Sequence, residues 1–216
     1  MTKGIDLSAT SVASSPSGGS DNKTEESPEE KFPARQGSEV RETLLRRPVS
    51  EDGAEVHRLI GRCPPLDENS IYCNLLQASH FADTSVAAEV NGELAGFISG
   101  YIIPERPDTL FIWQVAVAKE ARGLGLAGRM ICEILRRPSC ARVRHLETTI
   151  TPDNDASWAL FRGVARKLET DCAESVMFDR DRHFRGRHDS EMLLRIGPFA
   201  GAGAGAGAGT RVAVAR

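Results

Sequence analysis

The 216-residue sequence predicts a mixed α/β chain built around one sheet, and three observations point to it. Three β-rich runs, "TSVAAEV", "ELAGFISGYII" and "TLFIWQVAVA", follow one another with only turn residues between them. Apolar positions recur at helical spacing in four other stretches. The elements then fall in the order β-α-α-β-β-β-α-β-α-β-β, in which strands and helices alternate in the second half.

The first strand is "TLLRRPV". Ser50 is placed to cap a helix whose apolar positions are Val56, Leu59 and Ile60, and Pro64-Pro65 stops it. A second helix is expected over 69–81, burying Ile71, Leu75 and Leu76. Asn91-Gly92 joins the next two strands as a tight hairpin, and the stretch 104–108 turns the second into the third. A glycine-bounded helix over about 124–137 ends at Pro138. The strand "VRHLETTI", a helix over about 153–168, a short strand near Val176 and a last strand at "EMLLRI" complete the fold. Residues 1–41 are rich in Ser, Thr, Gly, Pro and Glu, too poor in apolar surface to offset ordering entropy, and are expected to be a disordered tail. Residues 42–198 are the expected folded unit, and 199–216 a tail containing the tract "AGAGAGAGAG".

Composition excludes several functions. A net charge of −3 without a basic stripe argues against nucleic acid as a partner. Five cysteines with no CxxC pair suggest neither a disulfide framework nor a zinc site, and fit a reducing cytoplasm. No apolar run follows a basic start, and none approaches the ~18 residues that a membrane helix needs, so an unexported soluble protein is expected.

The chemistry concentrates in "VAVAKEARGLGLAGRM", residues 115–130. The pattern Arg122-x-x-Gly125-x-Ala127 follows a buried strand and opens a helix, where bare amides and the helix dipole hold an anion and glycine lets a phosphate approach the main chain. It lacks the lysine of a phosphate-binding P-loop and the spacing of a dinucleotide site. A tight turn with glycines for packing is the plain alternative.

This pattern resembles the pyrophosphate signature of the GNAT acetyltransferase superfamily, as do the strand order and the "TPDNDASWALF" segment. The resemblance implies a mostly antiparallel sheet with helices on both faces and a splayed pair of fourth and fifth strands. It also implies acetyl-CoA as co-substrate, with no metal. Val115 and Val117 would offer backbone groups to pantetheine, Arg122, Gly123, Gly125, Ala127 and Gly128 would surround the pyrophosphate, and Asn154 and Ser157 would touch the same molecule. Within that superfamily, "CPPLDENSIYCNLLQASHFADTSVAAE", "PERPDTLFIWQVAVAKEARGLGLAGRM", "LETTITPDNDASWALF" and "HDSEMLLRIGP" are similar to the diaminobutyrate acetyltransferases of ectoine synthesis. That similarity implies acetyl transfer to the γ-amine of a small diamino acid, in a cytoplasmic homodimer serving the osmotic-stress response.

A diamino acid carries two ammonium groups and one carboxylate, so its pocket needs anions and a cation or donor. Asp67, in the loop "PPLDENS", and Glu174, before the strand "SVMF", are the candidate anions, although Asp67 can also simply cap a helix and Glu174 lie at a solvated strand end. Trp113 and Tyr72 are candidate walls, Trp113 through alternation along the cofactor strand, and His188 can meet a carboxylate or relay protons. An ammonium cannot attack a thioester, so Asp67 is expected to hold the α-ammonium and Glu174 to accept the γ-proton, with a main-chain amide near Val115 meeting the oxyanion. The place of the tyrosine that protonates the departing thiolate in many superfamily members is Phe161, which has no hydroxyl. Another small amine as acceptor, and a non-catalytic acetyl-CoA sensor, remain open at this point.

Overall fold

A computed structural model describes residues 42–200. Among them seven strands form one sheet in the order β1-β2-β3-β4-β5-β7-β6. The strands are β1 (Thr43–Arg46), β2 (Val86–Val90), β3 (Glu93–Ile103), β4 (Arg106–Val117), β5 (His145–Ile150), β6 (Cys172–Phe178) and β7 (Glu191–Ile196). The helices are α1 (Gly53–Gly61), α2 (Ile71–Ser79), α3 (Leu126–Leu135) and α4 (Asp155–Lys167). Every neighbouring pair is antiparallel except β4 and β5, so the mixed, mostly antiparallel sheet is as expected. The expectations for residues 1–41 and for the tract beyond 200 lie outside the described residues. Phe199 is 5% exposed and its N–H donates to the Arg144 carbonyl at 2.9 Å, so packing continues one residue past 198.

Helices cover both faces. Met130, Ile131 and Ile134 of α3 and Phe161 and Val164 of α4 pack with Ile98, Leu110, Ile112, Leu146 and Leu194 on one side. Val56, Leu59 and Ile60 of α1 pack with Phe97 and Ala116 on the other. Adjacent residues of β3, Phe97 and Ile98, thus enter opposite cores, as the two-residue strand period requires.

Four local expectations are corrected. Ser50 begins a short 3₁₀ turn rather than capping α1, and the Asp52 carboxylate instead accepts from Val49 N and Arg46. β4 begins at Arg106 rather than Thr109, because residues 107–109 bulge out between the pairs Ile103↔Arg106 and Ile102↔Leu110, where Pro107 owes no ladder hydrogen bond. α2 buries Asn74, Gln77 and Ala78, whereas Ile71 is 47% exposed and Leu75 and Leu76 are half-buried. Its inward side is polar because Asn74 meets His57 at 3.2 Å and donates to Gln77 at 3.1 Å.

The fourth correction shapes the site. Ser99 pairs with Gln114 and Gly100 with Ile112, so Trp113 is an extra residue in β4, a β-bulge. Ile112 and Val115 therefore both face the α3/α4 core, and Trp113 and Gln114 share the opposite face instead of alternating. Pairing with β5 stops at Ile112↔Thr148, so from Trp113 to Val117 β4 is laddered to β3 on one side and has no strand partner on its β5 side.

Candidate active site

The end of β4 beyond its pairing with β5 forms one wall of a cleft of about 440 Å³. Val115, Val117, Arg122, Gly123, Gly125, Ala127, Gly128, Asn154 and Ser157 all line it, so the nine expected cofactor residues come together. Gly125 caps α3 with φ +67° and no side chain. The first helical hydrogen bond is Arg129 N to Gly125 O at 3.1 Å, which leaves the amides of Leu126, Ala127 and Gly128 without a helical acceptor. A Cβ built on Gly123, Gly125 or Gly128 would meet nothing within 4 Å, so these glycines face open space and are not packing against a neighbour. Three orphan amides at a positive helix end, with clear approach, suit a pyrophosphate. Arg122 ties the turn back to β4 through Nε to Val117 O at 3.0 Å, and Asn154 caps α4 by accepting from Ser157 N at 3.1 Å. Cys63, Pro64, Pro65 and Leu66, from the loop after α1, close the far wall.

A second group gathers on the α1/α2 face beside the bulge. Trp113 is 46% exposed there. Gln114 donates to the carbonyl of Asp67 at 2.9 Å, which brings the Asp67 loop against the bulge. His188, in the loop between β6 and β7, lies 3.9 Å from the Glu191 carboxylate. Its ring is held above the ordinary histidine range, first because Nδ1–H donates to the Asp189 carbonyl at 2.7 Å, and further because the carboxylates of Glu191 and Asp67 lie near. The β6–β7 loop is itself pinned: the Asp179 carboxylate accepts from the amides of Asp181 and Arg182, and Ser190 accepts from Arg180 N. Tyr72, in the first turn of α2, is 66% exposed.

In sequence and in fold the chain is similar to known proteins. The Acetyltransferase (GNAT) family model matches residues 53–164. The L-2,4-diaminobutyric acid acetyltransferase of Methylotuvimicrobium alcaliphilum is 61% identical over 155 residues, covering 72% of this chain and 90% of the relative. The chain belongs to the GNAT acetyltransferase family. The enzyme of the same name from Halomonas elongata is 48% identical over 164 residues, 76% of this chain and 85% of the relative. Among solved structures, a diaminobutyrate acetyltransferase from Paenibacillus lautus, in complex with L-2,4-diaminobutyric acid and coenzyme A, is similar with TM-score 0.71 and 40% identity over 74% of this chain and 97% of the other.

Two residues of this GNAT protein stand elsewhere than the sequence suggested. Glu174 does not join the group beside the bulge. It pairs in register with Leu194, hence faces α4, and its carboxylate accepts from Arg162 Nη2 at 2.8 Å. Glu191 alternates with Leu194 and so lies on the opposite face; it is 20% exposed and its carboxylate has no neighbour but His188 among the described residues. The sequence does not single it out, because a glutamate opening a strand looks like a solvated end; the available signal is its position three residues after His188. Phe161 is 2% exposed in the core and its neighbour Leu160 lines the cleft, so neither offers a hydroxyl there; the α4 hydroxyl on the cleft is that of Ser157, in the first turn of the helix.

Lower on the same face as Glu191, the carboxylate of Glu147, 1% exposed, accepts from Arg106 through both oxygens and from Arg195. Burial alone would raise its pKa, but the two guanidinium groups outweigh burial and hold the carboxyl below its usual range. All five cysteines are free. No cluster of three metal-ligating side chains occurs among the described residues, and no helix there is long and apolar enough to cross a membrane.

Proposed function

We propose that this chain transfers the acetyl group of acetyl-CoA to the γ-amine of L-2,4-diaminobutyrate. The observation that carries the reading is that β4 serves both groups: from Val115 onward it walls the cleft that contains the backbone cradle, and Gln114 of the adjoining bulge binds the Asp67 loop. The likeness to the Paenibacillus lautus enzyme, whose complex holds that diamino acid, supports the choice of acceptor.

The amides of Leu126, Ala127 and Gly128 and the open faces of Gly123 and Gly125 would hold the pyrophosphate, and the free edge of β4 from Trp113 to Val117 would lie along the pantetheine. Acetyl-CoA bound there supplies an acyl carbon already activated as a thioester. The residues of the chain then have three tasks. Asp67 holds the α-ammonium and so keeps it protonated and unreactive. His188, whose positive charge persists to higher pH than usual, meets the carboxylate. Glu191 takes the proton from the γ-ammonium, directly or through water, since an amine of pKa ~10 must be deprotonated to attack. Glu191 is preferred over Glu174 because an arginine already occupies the latter. Neither Leu160 nor Phe161 of α4 offers a hydroxyl to the leaving thiolate, and a thiol of pKa ~8.5 departs without one.

The reading includes a homodimer working in the cytoplasm, in compatible-solute synthesis under osmotic stress. Exposed apolar side chains support the dimer: Ile71 and Tyr72 on α2, and Val176, Met177 and Phe178 on the edge strand β6. Purified protein incubated with acetyl-CoA and a panel of diamines, its product analysed by NMR, tests the reaction. N4-acetyl-2,4-diaminobutyrate is expected, and a mainly N2-acetylated product, or no turnover of this diamine, refutes it. Sedimentation tests the dimer, and Val176→Asp with Phe178→Asp should shift the chain to monomer.

A further inference from the structure

One buried amide connects the two halves of the site. Gln114 is the second residue of the bulge, 7% exposed, and both ends of its side chain are engaged by one loop. Its Nε2 donates to the Asp67 carbonyl at 2.9 Å, and its Oε1 accepts from Asn69 Nδ2 at 3.2 Å. The loop after α1 is held in two different ways along its length. Its first part has its own ties: Cys63 N to Ile60 O at 2.8 Å, Leu66 N to Cys63 O at 3.0 Å, and the Cys63 thiol to Val117 O at 3.4 Å. That part lines the cofactor cleft. Beyond Leu66, until Ser70 caps α2, the hydrogen bonds of residues 67–69 among the described residues are the two to Gln114.

We propose that Gln114 is a positioning residue for the acceptor substrate, fixing the Asp67 carboxylate relative to the strand that holds the acetyl donor. The inference rests on the role given above to Asp67. The division of the loop makes it specific. Loss of the Gln114 amide frees Asp67 and Asn69 while Cys63 to Leu66 keep their own ties, so the diamine feels the change and acetyl-CoA does not. The cause is geometric: a carboxylate displaced by an ångström no longer meets an ammonium at hydrogen-bonding distance.

Gln114→Met keeps the volume and shape and removes both hydrogen bonds. Its KM for the diamine should rise at least about tenfold, with KM for acetyl-CoA within about threefold of wild type. Gln114→Glu, which keeps the acceptor for Asn69 and sets an oxygen against the Asp67 carbonyl, should behave alike and serves if the methionine variant folds poorly. Asn69→Ala breaks only one link and should cost less, and adding it to Gln114→Met should cost nothing more, because the two residues share one bond. Hydrogen exchange read on free protein gives a measure that needs no substrate: the amides of Cys73 and Asn74, which bond to Ser70 at the end of the tethered segment, should exchange faster in Gln114→Met, with those of Cys63 and Leu66 unchanged. A diamine KM within twofold of wild type, a parallel rise in both KM values, or unchanged exchange at Cys73 and Asn74 would each overturn the proposal. Should the wild-type enzyme fail to acetylate the diamine, the proposed reaction falls, and the exchange experiment still decides the tether.

Discussion

The proposed donor side and the proposed acceptor side of this site are made of different material. The donor cleft is walled mainly by one continuous stretch, 115–128, joined by the loop 63–66 and the start of α4, and the groups proposed to bind there are mostly main-chain amides left free by glycine or by a helix end. The groups proposed for the acceptor are side chains at 67, 113, 188 and 191, drawn from a loop, a bulge, a second loop and a strand end. Backbone recognition suits a group that every acetyl transfer shares, because it depends on chain path and not on side-chain identity. Side-chain recognition suits the variable partner. Damage should therefore divide cleanly: changes beside the bulge should alter acceptor chemistry alone, and changes at the α3 turn should alter donor affinity alone.

The largest expected effect lies on the acceptor side. Glu191→Gln should lower kcat by ~10²–10⁴, the usual value of a general base, with KM for acetyl-CoA unchanged in steady-state kinetics. Glu174→Gln, whose carboxylate only meets Arg162, should leave kcat within about twofold. The reverse ranking would move the base to the other face of the sheet.

On the donor side, Gly128→Glu should weaken acetyl-CoA binding by about a hundredfold, ~2.7 kcal/mol by calorimetric titration. The helix should be at least as stable, since the new carboxylate sits in the first turn of α3 and replaces a poor helix former. Unchanged affinity in a folded variant would mean that the α3 amides do not hold the pyrophosphate.

Stability should separate from both halves at Glu147. Glu147→Gln leaves Arg106 and Arg195 without their shared anion and should cost ~3 kcal/mol near neutral pH by denaturant titration, while leaving acetyl-CoA affinity as it was. Because the folded carboxyl has a lowered pKa, its contribution is complete above the ordinary carboxylate value and is lost as pH falls through the folded value. Wild type should therefore lose more stability than the variant on acidification below about pH 4. Parallel pH curves would remove Glu147 from the account of acid unfolding.

The smallest effect is a pH dependence. The raised pKa of His188 means that its charge persists to higher pH than that of an ordinary imidazole and is lost as pH climbs through a value above ~6.5. KM for the diamine should rise severalfold across that interval in wild type and stay flat in His188→Ala. A slope that survives in the variant would assign it to another group.

The same difference in material explains what could be read beforehand. The glycines at 123, 125 and 128 marked the donor side because a left-handed cap and a free approach leave their trace in residue type, and all nine expected positions reached one cleft. The element order was legible for a similar reason: turns such as Asn91-Gly92, both with positive φ, and period changes are local properties. The acceptor side was legible only in part. Asp67, Trp113 and His188 can be named as candidates by chemistry, but nothing local decides which face of a strand a glutamate takes, and Glu174 proves to face α4 and Arg162. Strict alternation misassigned the face logic of β4 because a bulge has no reliable mark in a run as apolar as "TLFIWQVAVA". On α2 the periodicity named the wrong side, since His57 and Gln77 draw Asn74 inward and leave Ile71 outside.

The bulge at Trp113 also bears on how such an enzyme can be retargeted. The extra residue sets the backbone path of β4, and its partner Gly100 leaves no room for change, because a Cβ there would lie 2.8 Å from the Phe111 carbonyl and 3.1 Å from that of Thr84. The indole itself is not needed for that path: it stands 46% exposed on the acceptor side. Length and identity at this point are thus separable variables. A library that varies the side chain at 113 while keeping Gly100 and the residue count of β4 can explore new amines on an unaltered donor channel, whereas deleting one residue would rotate Val115 and Val117 away from it.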